Sequence, residues 1–397
     1  MPGEAKAQLK EASQQAKKEF HPDYQHAPHA SSAAYTAPGR LGNATLALGE
    51  DPRANAQLLP TIKAIGMGTH GPPASLATLD ENSTLDEIGV MVNEFNEGLL
   101  LMYNGGVSVD LPGDAHERKV QMVEETIAGG DGQDMLVYVY RPADQTAPLP
   151  GIMFSHGGGM VVGTTMNPIH DRWCKSLAAQ GCVVVMPDFR NAWTKNGYHH
   201  FPAGLNDCVA AAKWITANKE KLKVRNLVLE GESGGANLSL AIALKAKREG
   251  WVKDIAGVYA LVPYISNAWG WPEEKLLKEL PSLVECNGYF IGRGSTAYIA
   301  HFYTPTDEHQ QNPLAWPYYA TLEDMKGLPP HNLVMDELDP LKSEGISYFR
   351  RLVEAGVEAR GSLNLGVIHA SSLIFRSVIP AYHKSAVRDI AAFAAEL

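Results

Sequence analysis

The sequence predicts an α/β fold in which a mostly parallel sheet is covered by helices on both faces. From about residue 151 onward, short apolar runs typical of buried strands alternate with longer runs of helical periodicity. Two β-rich runs, Val120 to Ile127 and Met135 to Tyr140, come before this alternation. The turn sequence Gly129-Gly130-Asp131-Gly132 separates them, which predicts a hairpin at the start of the sheet.

The elements after the hairpin follow one another in a regular order. Polar and glycine-containing segments separate them, as expected for connections in an alternating fold. The predicted strands are Ile152–Phe154, Cys182–Met186, Leu227–Leu229, a strand within Ile255–Ile265, Asn332–Met335 and Glu358–Leu365, and the predicted helices are Cys208–Leu222, Ala236–Lys247, Glu344–Ala355 and Val387–Leu397.

Three regions depart from the alternation. Residues 1–37 are polar and rich in Ala and His, which indicates a terminal arm, either a frayed helix or a disordered segment. Residues 38–118 predict a helical cap region, because the capping pattern Thr84-x-x-Glu87 opens a run of apolar residues at helical spacing. Within the α/β domain predicted over 119–397, residues 267–325 are rich in Trp, Tyr and Pro and predict an insertion over the sheet.

Composition narrows the class of function. The chain has 397 residues and a formal net charge of -10, which disfavours nucleic acid and anionic membrane surfaces as partners. The four cysteines are widely spaced, so neither a disulfide framework nor a zinc site is expected. No signal peptide or membrane-spanning run is recognisable, and a cytoplasmic protein is the expectation.

The pattern Gly231-x-Ser233-x-Gly235 is the first candidate for chemistry. It follows a predicted strand and precedes a predicted helix, the context in which a sharp turn exposes a nucleophilic serine. Glycine on both sides indicates that side chains would not fit next to the turn. The alternative is an ordinary turn serine, so the interpretation depends on finding a base and an acid.

A carboxylate candidate follows the strand Asn332–Met335. Serine catalysis needs a base and a group that orients the base, in one common arrangement with the chain order Ser, acid, His. Asp339 is preferred as the acid because Pro340 forces a turn that would hold its carboxylate at the sheet edge. Asp336 remains the rival.

Histidine candidates for the base follow. His369 lies in a loop directly beyond the last predicted strand. His383 falls in a helical stretch and is expected at the surface, while His331 precedes the acid-bearing strand and would lie at the wrong end of the sheet. His369 is therefore the predicted base.

A glycine run, His156-Gly157-Gly158-Gly159, follows the strand Ile152–Phe154. Bare backbone N–H groups in such a run can approach a developing oxyanion. A phosphate-binding loop is the competing interpretation, but it would need a G-x-x-x-x-G-K-[ST] or G-x-G-x-x-G pattern, and neither is present.

Together these motifs resemble the hormone-sensitive-lipase-like branch of α/β-hydrolase esterases, from about Pro38 to the C-terminus. The segments that carry the resemblance are His156-Gly-Gly-Gly-Met160, Arg172-Trp-Cys174, Val185-Met-Pro-Asp-Phe-Arg-Asn-Ala-Trp193, Gly231-Glu-Ser-Gly-Gly235, Glu279-Leu-Pro-Ser-Leu-Val-Glu285, Ala315-Trp-Pro-Tyr318 and Glu337-Leu-Asp-Pro-Leu341.

The resemblance implies a serine carboxylesterase that hydrolyses small neutral esters without metal or cofactor. The alternative within the same family is a hydrolase of macrocyclic lactones. A non-catalytic small-molecule receptor on the same fold is the alternative from another class. Family members are often dimers, so a homodimer is an expectation. Glu232 would connect loops without titrating.

The resemblance also implies a role for each candidate site residue. The implied roles are nucleophile for Ser233, base for His369, orienting acid for Asp339, oxyanion hole for Gly158, Gly159 and Gly234, loop support for His156 and Gly157, and pocket wall for Met160, Tyr264, Trp269 and Trp271.

Overall fold

An eight-stranded sheet forms the centre of the computed structural model, which describes residues 39–43, 45–66, 74–106, 109–114 and 117–397. The arm predicted over residues 1–37 lies outside the described residues. The strands are Val120–Ala128 (β1), Asp134–Pro142 (β2), Leu149–Ser155 (β3), Val183–Pro187 (β4), Val224–Glu232 (β5), Gly257–Leu261 (β6), His331–Asp336 (β7) and Ala359–Asn364 (β8).

The spatial order of the strands is β1-β2-β4-β3-β5-β6-β7-β8. β2 runs antiparallel to β1 and β4, and every other neighbouring pair is parallel. The predicted mostly parallel sheet and its opening hairpin are therefore confirmed. A separate two-stranded ribbon joins Trp193–Thr194 to Gly197–Tyr198.

The helices surround this sheet. They are Leu59–Ala64 (α1), Leu85–Leu101 (α2), Pro168–Ala179 (α3), Ala203–Ala217 (α4), Lys219–Leu222 (α5), Gly234–Glu249 (α6), Glu273–Glu279 (α7), Ser282–Glu285 (α8), Arg293–Tyr303 (α9), Leu322–Met325 (α10), Lys342–Glu354 (α11), Ser371–Ile374 (α12) and Pro380–Glu396 (α13). The helix predicted over Cys208–Leu222 is two helices, because the backbone leaves the helical region at Asn218.

Alternate strand residues pack into two separate cores, as the period of two in a strand requires. On one face, Ile152 and Val228 pack in the same cluster as Trp173 of α3 and Ile390 of α13. On the other face, residues one position along the strands, such as Met153, pack with α4, α6 and α11. Both faces of the central strands are thus covered by helices.

The helix predicted behind Thr84 is α2. The Thr84 side chain accepts from the Glu87 N–H while the Glu87 carboxylate accepts from the Thr84 N–H, a complete capping box. A π-helical turn over Met102–Gly106 extends the helix. α2 packs against α9, which belongs to the segment 267–325. The described residues before 118 contain no strand, as the sequence predicts.

Candidate active site

Ser233 occupies a sharp turn between the end of β5 and the start of α6. Its backbone has φ 56° and ψ −117°, a strained combination for a residue with a side chain. A Cβ at Gly231 would collide with the backbone of Gly235, and one at Gly235 would collide with the Ser155 carbonyl. The Ser233 N–H donates to the Leu261 carbonyl at 2.9 Å, which ties the turn to the neighbouring strand β6. These contacts explain both glycines of the Gly-x-Ser-x-Gly pattern.

His369 and Asp339 are brought together from separate loops. Nδ1 of His369 lies 2.8 Å from Oδ2 of Asp339, and both side chains are buried. The other carboxylate oxygen, Oδ1, accepts from the Leu341 N–H at 2.9 Å, which fixes the orientation of the carboxylate. Burial lowers the pKa of His369, but the charge and hydrogen bond of Asp339, with the charges of Glu232 and Asp336, outweigh it, so the pKa is raised overall.

Asp336, the rival acid, has other partners. Its Oδ1 accepts from the Asn364 amide at 2.9 Å and its Oδ2 from the Ser371 N–H at 3.3 Å. Burial raises the pKa of Asp336 to about 7. The hydrogen-bonding geometry therefore favours Asp339 over Asp336 as the group that orients His369.

The two other histidines considered as the base, His383 and His331, are bonded elsewhere in the fold. His383 was expected at the surface, and this is wrong: its side chain is buried, with Nδ1 3.0 Å from the Ser372 carbonyl and Nε2 2.9 Å from the Ser176 hydroxyl. The helical periodicity of α13 did not reveal that this position faces α3. His331 is buried at the start of β7, where Nδ1 lies 2.6 Å from the Pro329 carbonyl.

The glycine run forms a tight loop directly after β3. Gly158 and Gly159 have φ +97° and +64°, values that favour glycine. A Cβ on Gly158 would collide with the Val162 carbonyl, and one on Gly234 would lie 2.9 Å from the Gly159 nitrogen. The loop therefore rests directly against the first turn of α6, where unpaired N–H groups point outward from the helix.

His156 supports the glycine loop through a hydrogen bond and a ring contact. Its Nδ1–H donates to the Gly157 carbonyl at 2.7 Å, and its ring stacks on Phe189 with centroids 4.5 Å apart. Burial lowers the pKa of His156 to about 4, so the ring is neutral at physiological pH. Its position is that of a structural residue.

The carboxylate of Glu232 is the second one beside the imidazole of His369. Its side chain is 2% exposed, and Oε1 lies 3.6 Å from Nε2 of His369. The carboxylate occupies the space next to Gly157, where a Cβ would collide with it. Burial raises the pKa of Glu232, and the charge of His369 acts in the opposite direction. The sequence places Glu232 next to the nucleophile but does not reveal that it faces the histidine.

Ser233 and His369 open into one cavity of about 340 Å³ at the carboxyl ends of the strands. Of the residues predicted for its wall, Tyr264 and Trp269 are present. Met160 is instead buried in the core, and Trp271 contacts Tyr318 and Lys275. The remaining wall residues are Glu94, Phe95, Gly98, Leu99, Met102, Tyr103, Gly158, Gly159, Glu232, Phe290, Ile291, Thr296, Ile299 and Leu341.

Much of this wall was missed by sequence reasoning. One face of α2 supplies Glu94, Phe95, Gly98 and Leu99, and the segment 267–325 supplies Phe290, whose ring centroid is 6.1 Å from that of His369. The amphipathic pattern of α2 was recognisable, but the pattern does not tell which element its partly buried face contacts.

The described residues contain neither a candidate metal site nor a candidate membrane-spanning helix. Across the ranges that the structure describes, no three His, Cys, Asp or Glu side chains are grouped so as to hold a metal ion. The described helices include none of the length and apolar character needed to cross a bilayer.

Comparison with known proteins agrees with this geometry. The family described as the alpha/beta hydrolase fold matches residues 152–373. The solved structure of brefeldin A esterase, a bacterial homologue of human hormone-sensitive lipase, is 43% identical with a TM-score of 0.87 and covers 91% of this chain and 99% of that one. Esterase Est22 is 33% identical with a TM-score of 0.73, covering 88% and 99%.

A curated relative is also named as an esterase, at lower identity. Carboxylesterase NlhH of Mycobacterium tuberculosis is 29% identical over 277 residues, which span 68% of this chain and 81% of that protein. The chain therefore belongs to the α/β-hydrolase family, in the branch of the bacterial homologues of hormone-sensitive lipase.

Proposed function

We propose that this carboxylic ester hydrolase cleaves small neutral esters through an acyl-enzyme formed on Ser233. The observation that carries the proposal is the 2.8 Å contact between His369 Nδ1 and Asp339 Oδ2, together with the shared cavity that His369 and Ser233 line. A mostly apolar cavity with a few polar groups suits the uncharged acyl and ester groups of an organic substrate.

In the first half of the reaction, the Ser233 hydroxyl attacks the ester carbonyl while Nε2 of His369 takes its proton. Asp339 accepts the Nδ1–H bond, which holds the tautomer that leaves Nε2 free and stabilises the imidazolium. The oxyanion receives N–H bonds from Gly158, Gly159 and Gly234. Collapse of the tetrahedral intermediate expels the alcohol, which leaves with the proton from His369.

In the second half, water attacks the acyl-enzyme. His369 takes a proton from the water, a second tetrahedral intermediate forms in the same glycine loop, and collapse returns the proton to Ser233 and releases the carboxylic acid. Positive φ angles at Gly158 and Gly159 support this role, because the N–H groups are held in place before charge develops.

We also propose that α2 and the segment 267–325 form the cap of the active site. α2 packs against α9, and both supply residues to the cavity wall. Such a cover excludes water from the tetrahedral intermediate and strengthens the hydrogen bonds that stabilise it.

The proposal is tested with p-nitrophenyl butyrate under rapid mixing and with a dialkyl p-nitrophenyl phosphate, which transfers its phosphoryl group to an activated serine. We expect turnover of p-nitrophenyl butyrate, with or without an initial burst of p-nitrophenolate. With the dialkyl phosphate we expect a phosphoryl adduct on Ser233, located by peptide mass spectrometry. Inactivation without an adduct on Ser233, or turnover retained in Ser233→Ala, would reject the assignment.

Macrocyclic lactone hydrolysis is the second candidate, favoured by the 43% identity to brefeldin A esterase over 99% of that chain. The same chemistry applies, with the alcohol remaining attached to the acyl group after ring opening. Incubation with brefeldin A followed by mass spectrometry distinguishes the two candidates. A product heavier by one water supports the lactone, and unchanged brefeldin A alongside active hydrolysis of p-nitrophenyl butyrate rejects it.

A further inference from the structure

The cavity wall is acidic as well as aromatic. Its charged side chains, other than the histidine, are the carboxylates Glu94 and Glu232; no lysine or arginine is present among the described residues that line it. Five of the described lining residues carry aromatic rings, and an aromatic ring attracts a cation at its face. The rings belong to Phe95, Tyr103, Tyr264, Trp269 and Phe290.

The two carboxylates lie near opposite ends of the stretch of cavity wall that α2 and its π-helical extension supply. Tyr103, at the inner end, is buried and interacts electrostatically with Glu232. Glu94 lies nine residues earlier in the chain, also lines the cavity, and is partly exposed. At the α-helical rise this separates Glu94 from Tyr103 by roughly 13 Å along the helix axis. Glu94 therefore marks the outer end of the cavity.

Glu94 is also held in place. Its Oε2 accepts from the Ser75 hydroxyl at 2.8 Å and from the Ser75 N–H at 3.2 Å. Within the described residues these two bonds both involve Oε2, and none is made by Oε1. A carboxylate that is already held by a neighbouring segment, as Glu94 is by Ser75, loses little side-chain entropy when it pairs with a cation.

We propose that the cavity prefers esters with an ammonium group at the end remote from the carbonyl, rejects esters with a carboxylate there, and owes this preference to Glu94. The inference rests on the proposed ester hydrolysis and names the charge class of its substrates. The charge of Glu94 acts at short range, because exposed charges are screened beyond about 8 Å at physiological salt.

The test uses butyrate esters of ω-substituted alcohols with two to eight methylene groups. Each trimethylammonium ester is paired with a neutral isostere, in which a tert-butyl group replaces the cation, and with an ω-carboxylate ester. Wild-type enzyme is expected to show kcat/KM at least about tenfold higher for the cation than for its neutral isostere at linkers long enough to reach Glu94. The carboxylate ester of the same length is expected to be the poorest of the three.

Glu94→Gln removes the charge and keeps the shape, and the cation-to-neutral ratio of kcat/KM is expected to fall close to one. Glu97→Gln is the matched control, since Glu97 is an exposed carboxylate on the same helix outside the cavity wall and bonded to Asn93. The control is expected to keep the wild-type ratio. Loss of the ratio in Glu97→Gln alone would show that general surface charge, not Glu94, sets the preference.

Equal kcat/KM for cationic and neutral esters at every linker length would overturn the inference while leaving ester hydrolysis intact. A preference that Glu94→Gln retains would also overturn the assignment to Glu94. Absence of hydrolysis for all esters, neutral ones included, would instead count against the proposed function, so the two failures are distinguishable.

Discussion

Nε2 of His369 lies 3.6 Å from Oε1 of Glu232, on the edge of the imidazole opposite to the one bound by Asp339. The ring is therefore placed between two buried carboxylates. The proton that His369 takes from Ser233 resides on Nε2, so Glu232 faces the nitrogen that becomes protonated, while Asp339 lies closer to the ring on the Nδ1 side. The negative charge of Glu232 favours the imidazolium form.

Glu232→Gln tests this relationship through the pH profile. Burial lowers the pKa of His369 while Asp339, Glu232 and Asp336 raise it, so removal of one negative charge is expected to lower this pKa. His369 acts as a base only when neutral, and activity is lost as pH falls through its pKa. The acidic limb of kcat/KM should move to lower pH, with kcat about tenfold lower, the equivalent of one pKa unit.

A purely structural Glu232 would give a different result. In that case kcat falls while the acidic limb remains at the wild-type pH. Glu230→Gln is the matched control, because Glu230 is a buried carboxylate two residues earlier on the same strand and is not among the charges that raise the pKa of His369.

Removal of the nucleophile or the base is expected to abolish most catalysis. Ser233→Ala and His369→Ala should each lower kcat for p-nitrophenyl butyrate on the order of a millionfold, and the double variant should lose little more, because the residues act as a unit. Circular dichroism checks that each variant is folded. A double variant whose loss is the product of the two single losses would contradict a shared role.

The identity of the acid is tested by two isosteric changes. Asp339→Asn should lower kcat about ten-thousandfold, because the amide favours the wrong tautomer of His369. Asp336→Asn should cost less than about tenfold, since Asp336 bonds to Asn364 and the Ser371 N–H and not to the imidazole. The reverse ranking of the two variants would reassign the acid to Asp336.

Gly158→Val tests the oxyanion hole. The new side chain would collide with the Val162 carbonyl and would sit at φ +97°, so the loop must move. We expect kcat to fall at least about a hundredfold, the scale of losing one oxyanion donor. Gly132→Val is the control, because Gly132 has φ +82° in the hairpin turn but nothing within 4 Å of an added Cβ. Equal losses in both variants would indicate a general effect of strain.

The order of the predicted elements along the chain was enough to predict a mostly parallel sheet with an opening hairpin. Each predicted strand lies within or close to an observed one, because apolar runs and turn residues act locally. The errors concern packing direction: His383 lies on a helix, as predicted, but faces α3 and not solvent. Periodicity describes one helix at a time and does not identify the neighbour that covers it.

The sequence by itself determined the α/β order, the elbow at Ser233, the glycine loop and the candidate partners Asp339 and His369, since strand ends and tight turns are set by neighbouring residues. Only the tertiary structure decided that Asp339 and not Asp336 contacts the imidazole, that Glu232 faces its other edge, and that Glu94 lies on the cavity wall. Those relationships join segments that are distant in the chain, and side-chain direction within a packed fold depends on all the elements that surround it.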